Sequence, residues 1–181
     1  MQNKGYFQPE QAREVAAMFE KHGIEYLFIG KSAAILLGFP SVTQDIDVFP
    51  KKEKQNCERL IAALIELGFE LLEKTRQEIL SGVDFVQINQ DPFDIDLVFA
   101  PDGIEDFDAA HRRMTLIENF PIANIRDIIA SKKASGRKKD LYDLPMLEDF
   151  RIEFEKSQRQ GRPKSSVELA LEKLDKKDTQ T

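Results

Sequence analysis

Two short runs decide what this chain can fold into: DIDVFP at residues 45–50 and FDIDLVF at residues 93–99. Both are rich in strand-forming residues, yet each carries an Asp-x-Asp pair, and aspartate is depleted from strands. Alternation along a β-strand sends Ile46 and Val48 to one face and Asp45 and Asp47 to the other. Asp94 and Asp96 repeat the device against Ile95 and Leu97. Carboxylates sharing one face raise the electrostatic energy unless a cation lies against them. If the two strands are neighbours, their carboxylates converge, and hard divalent cations such as Mg²⁺ take oxygen ligands of this kind. The arrangement fits phosphoryl or nucleotidyl transfer. Its plain alternative is a solvated strand edge.

The rest of the chain reads as alternating helices and strands. Residues 9–22 begin with Pro9 and place Ala12, Val15, Ala16 and Phe19 at helical spacing before Gly23, which predicts a helix. Residues 25–29 read as a buried strand and 31–37 as a helix stopped by Gly38 and Pro40. The DID strand follows at 44–49, and 53–67 is amphipathic, with Cys57 facing inward. Strand-like stretches at 69–73, 76–80, 83–89 and 93–99, separated by turn signals, predict a meander. Helices over 105–113, 124–135 and 139–156 and a strand over 114–118 complete the reading. From about Gln158 the chain is polar and highly charged, which predicts a flexible tail with a short helix near 167–174.

A chain of 181 residues buries a sizeable core without staples, and its single cysteine excludes an internal disulfide. The start of the sequence lacks a basic-then-apolar leader pattern, so a cytoplasmic location is expected. No apolar run approaches the roughly 20 residues of a membrane-spanning helix. The net charge of -6 argues against a broadly basic nucleic-acid surface. Even so, Lys132, Lys133, Arg137, Lys138 and Lys139 crowd into SKKASGRKKD, a positive wall that suits a polyphosphate facing the acidic residues.

Gly30, then a helix, then Asp45 and Asp47 resembles the signature of the nucleotidyltransferase superfamily related to DNA polymerase β. The chain is most similar to the bacterial minimal nucleotidyltransferases, including those like the AbiEii toxins of toxin–antitoxin systems. Gly30, Ala33, Ala34, Gly38, Thr43, Asp45 and Asp47 carry that pattern. Asp96, then Asp127, Ile128 and Ile129, then Lys132, Gly136, Arg137, Lys139, Asp140, Leu141 and Asp143 continue it, so the likeness spans roughly residues 24–147. Lys31 departs from it, standing where the family has a second Gly or a Ser. Ser41 departs too, standing where an Arg precedes the Thr.

The resemblance implies an α+β fold, a nucleotidyltransferase-like mixed β-sheet flanked by helices. The expected organisation is a core over residues 1–120, a small helical C-terminal extension over 121–157 packed on that core, and the charged tail over 158–181. The resemblance also implies an enzyme that moves a nucleoside monophosphate from a nucleoside triphosphate to a hydroxyl of an RNA, protein or small-molecule acceptor, with tRNA or a partner protein among the candidates and an antitoxin as possible partner. Two Mg²⁺ ions would be held by Asp45, Asp47 and Asp96, with Asp94 as stand-in for Asp96. Gly30, Lys31 and Ser32 would meet the terminal phosphates at a helix start, and Lys132 and Arg137 would approach from the C-terminal helices. Two other classes remain. A two-metal nuclease would add a Glu-x-Lys after the strand aspartate, which this sequence lacks. A non-catalytic nucleotide-binding module on the same scaffold would keep the acidic residues while Lys31 and Ser41 alter the phosphate end.

Overall fold

The strand β1, Tyr26–Ile29, is buried along its whole length, as a run apolar on both faces must be. It lies inside a six-stranded mixed sheet of the computed structural model, which describes residues 5–161, 164 and 166–178. The other strands are β2 (Asp45–Pro50), β3 (Phe85–Gln90), β4 (Phe93–Val98), β5 (Thr115–Ile117) and β6 (Phe120–Ile122), in the order β3-β4-β2-β1-β6-β5. Around them are α1 (Pro9–Lys21), α2 (Gly30–Leu36), α3 (Lys54–Glu66), α4 (Glu73–Ser81), α5 (Phe107–Arg112), α6 (Ile125–Ser135), α7 (Lys138–Arg159) and α8 (Ser166–Asp178). The expected class holds: this is an α+β chain with a mixed sheet flanked by helices.

The register of β2 on β4 positions everything that follows. The two run parallel with Asp45 opposite Asp94, Ile46 opposite Ile95, Asp47 opposite Asp96 and Val48 opposite Leu97. Ile46, Val48, Ile95 and Leu97 are all buried, and a slip by one residue would drive the aspartates into that apolar layer. On its other side β2 pairs antiparallel with β1, and β4 pairs antiparallel with β3.

Three expectations change. Residues 69–73 and 76–80 are not strands of a meander: α4 occupies Glu73–Ser81 and ends at Gly82 in the left-handed conformation. Lys74 with Glu78 and Gln77 with Glu73 make i,i+4 pairs there, but only Ile79 is buried, so the helical apolar stripe is too thin to read from sequence. The sheet also reaches past residue 120, because β6 inserts between β1 and β5. Pro121, which cannot donate to a ladder, masked that strand. Finally, the short helix expected near 167–174 is present as the longer α8, but it packs on α1 and α2 instead of lying in a flexible tail; the expected tail's residues 162, 163, 165 and 179–181 lie outside the described residues. Leu171 is fully buried, Val167 packs against the same core, and the Arg13 guanidinium donates to the Leu171 carbonyl at 2.5 Å. Apolar residues at helical spacing thus dock a segment whose overall composition is that of a solvated tail. Among the described residues, no helix is long and apolar enough to cross a membrane.

Leu171→Ala is expected to lower unfolding free energy by about 2–5 kcal/mol, as for a buried leucine. Urea denaturation measures it, and an unchanged midpoint would show that α8 is dispensable to the core.

Candidate metal centre

Asp45 and Asp47 from β2 and Asp96 from β4 each offer a carboxylate oxygen, and these oxygens lie within 4.8 Å of one another. Asp45 and Asp47 are half-buried and Asp96 is buried. The convergence follows from the strand register, which puts alternate residues of two adjacent strands on one face. Asp94 shares that face and raises the pKa of Asp96 through its charge, but it is not among the three that converge.

Electrostatics mark the cluster as under-neutralised. Burial, then the charges of Asp45 and Asp96, push the Asp47 carboxyl from an ordinary 3.8 up to about 8, against the opposing pull of Lys132 and Lys139. Burial and Asp45 push Asp96 up to about 6, partly offset by a hydrogen bond from Gln87 and by Lys139. Asp96 Oδ1 is buried with no hydrogen-bond partner, an arrangement that costs free energy unless something fills it. The donors are all carboxylate oxygens, so the residues fit a hard cation such as Mg²⁺ or Mn²⁺ rather than a metal that seeks imidazole or thiolate.

Local chemistry around the cluster explains several residues of the sequence pattern. Gly30 has φ +66°, and a Cβ placed on it would lie 2.2 Å from Asp47 Oδ2. Only glycine lets the backbone pass so close to that carboxylate. The Thr43 hydroxyl donates to Asp45 Oδ1 at 2.5 Å, which fixes one carboxylate before the strand begins. Cys57 is an inward-facing helix residue, as expected.

The residues expected to face phosphate have partners within the fold. Ser32 is completely buried, donates its hydroxyl to the Ile29 carbonyl at 3.3 Å and accepts from the Asp47 backbone N–H at 3.1 Å. These two bonds tie the first turn of α2 to β2. Lys31 is held by Asp143 at 2.6 Å. Lys132 is buried and pairs with Asp140 at 3.0 Å and Asp143 at 3.8 Å, so it braces α6 against α7 rather than presenting its ammonium to solvent. Arg137 gives its Nε to Asp140 at 2.6 Å but remains 65% exposed at its side chain. Asp140 collects Lys132, Ser135 and Arg137, and although burial alone would raise it, these hydrogen bonds hold it down at about 2.

Sequence reasoning gave Asp140 and Asp143 no role beyond a pattern match. Their signal was helical spacing: Asp140 and Asp143 are three residues apart on α7, so both face the lysines of α6 and α2. His22 hydrogen-bonds Glu66 and His111 stacks on Phe107, both away from the cluster.

No protein-family model matches the chain, and a search of curated proteins finds no match.

Two outcomes follow. Because Asp47 binds its proton more tightly folded than unfolded, the metal-free protein is expected to lose stability as pH rises from about 4 to about 8, by at most about 1.4 kcal/mol per pH unit from this group. Asp47→Asn flattens that slope and saturating Mg²⁺ opposes it; urea midpoints at pH 5, 6, 7 and 8 in chelator and in Mg²⁺ provide the comparison. Asp140→Ala leaves Lys132 buried beside only the more distant Asp143, with an expected loss of about 3 kcal/mol. A midpoint shift no larger than that of an exposed ion-pair deletion would rule out the brace.

Proposed function

We propose that this chain is a metal-dependent nucleotidyltransferase that moves a nucleoside monophosphate from a nucleoside triphosphate to a hydroxyl acceptor. The observation that carries the reading is the convergence of Asp45, Asp47 and Asp96 from two in-register strands, with a buried Asp96 oxygen left without a partner. Gly30 upstream of the Asp-x-Asp strand, abutting Asp47, supports it. So does the cationic flank of α6 and α7.

Asp45, Asp47 and Asp96 would hold two divalent ions. When bound, such ions neutralise charge on the phosphoryl group and stabilise both the entering and the leaving oxygen. The acceptor oxygen forms a bond to the α-phosphorus, the bond from that phosphorus to the bridging oxygen breaks, and pyrophosphate leaves with the electron pair. Asp96, which completes the cluster from β4, would take up the hydroxyl proton as the new bond forms. The acceptor class, whether RNA, protein or small molecule, belongs to surfaces outside this cluster.

One observation favours the non-catalytic alternative. With Ser32 consumed inside the fold and Lys31 tied to Asp143, the start of α2 offers a phosphate fewer side-chain donors than the sequence promised.

Titration calorimetry of each nucleoside triphosphate with Mg²⁺ into wild type and Asp45→Ala/Asp47→Ala tests the reading. Binders are then incubated with cell extract and α-labelled nucleotide. Metal-dependent binding that the double variant loses, with label passing to one macromolecule or metabolite, is expected. Binding without transfer points to the non-catalytic module, and no binding by any of the four sinks both.

A further inference from the structure

Every cation of the basic segment but two is committed to a carboxylate. Lys132 and Arg137 are held by Asp140, and Lys133 pairs with Glu148 at 2.6 Å. Lys31, at the start of α2, is held by Asp143. Lys138 and Lys139 are exposed, and neither has an ion pair or hydrogen bond among the described residues.

Helix geometry separates these two. Lys139 lies one turn before Asp143 on α7, and residues four apart share a helix face. Asp143 is in contact with Lys31, Lys31 follows Gly30, and Gly30 has no room for a Cβ because Asp47 lies against it. The Lys139 face of α7 therefore borders the carboxylate cluster. Asp47 and Asp96 both register its charge, which counters the upward push on their carboxyls. Lys138 lies about 100° around the helix. It shares a face instead with Tyr142, which is 82% exposed to solvent.

We propose, resting on the nucleotidyltransferase reading, that Lys139 is the side chain that binds the β- and γ-phosphates of the nucleotide, in place of the expected Lys132 and Ser32. An uncommitted ammonium on a flexible stem is suited to follow a triphosphate tail whose charge changes as the α-phosphorus bond breaks. Positioned against the leaving half, it offsets the negative charge that the pyrophosphate carries away.

The test compares wild type, Lys139→Ala, Lys139→Arg and Lys138→Ala in Mg²⁺, titrated with whichever nucleoside triphosphate binds wild type and with the matching monophosphate. Lys139→Ala is expected to weaken triphosphate binding about tenfold or more while leaving monophosphate binding within about twofold, which corresponds to loss of one charge-assisted contact. Lys139→Arg recovers most of the loss, and Lys138→Ala, which removes the same charge from the other face, stays near wild type. Thermal melting of Lys139→Ala at the wild-type midpoint confirms that the fold is kept. Unchanged triphosphate affinity in Lys139→Ala overturns the assignment while the proposed function stands. The assignment is equally overturned by equal losses for triphosphate and monophosphate, or by an equal loss in Lys138→Ala. A wild type that binds no triphosphate overturns both the assignment and the reading beneath it.

Discussion

The parallel, in-register pairing of β2 with β4 is the contact on which the rest of the site depends. It aligns two Asp-x-Asp pairs across one ladder, so a repulsive face is the direct consequence of a favourable one. Ile46, Val48, Ile95 and Leu97 form the buried side, and their removal from water stabilises a register that also crowds the carboxylates. The apolar layer thus holds the cluster together against its own charge.

Around that ladder the chain builds two kinds of support. One is short and neutral: Ser32 bonds the backbone of β2, Thr43 bonds Asp45, and Gly30 yields the space that Asp47 fills. The other is charged and long-range: Asp140 and Asp143 on α7 draw in Lys132 from α6 and Lys31 from α2. Residues that look like phosphate ligands in one dimension become structural when their charges find partners already in the fold. Lysines and carboxylates in similar numbers close together satisfy one another first, and only a remainder faces outward.

Much of this was legible in the sequence because the signals were periodic. Period-two alternation exposed the Asp-x-Asp strands, and helical spacing of Ala12, Val15, Ala16 and Phe19 exposed α1. The same logic missed α4, where one buried residue leaves no stripe, and β6, where a proline sits inside a three-residue strand. It found the short helix near 167–174 but not its docking, because the charged composition hides the buried Leu171. At the site, the choice of Asp96 over Asp94 came from the resemblance rather than from alternation, which puts both on one face; the converging group contains Asp96. What could not be read was pairing: nothing in the string SKKASGRKKD says which of its cations Asp140 will claim, because that depends on how α6 and α7 meet.

The brace between α6, α7 and α2 has a consequence for the order in which the site comes into being. The carboxylate cluster lies between residues 45 and 96, whereas the α6 and α7 side of the brace lies between residues 132 and 143. A chain made from its N-terminus therefore exposes all three carboxylates before any of Lys132, Asp140 or Asp143 has emerged. Over that interval the register of β2 on β4 rests on its ladder hydrogen bonds, the local bonds from Ser32 and Thr43, and the apolar layer, without the charged brace. The deep aliphatic layer behind the aspartates is thus as much a requirement of assembly as of the finished fold.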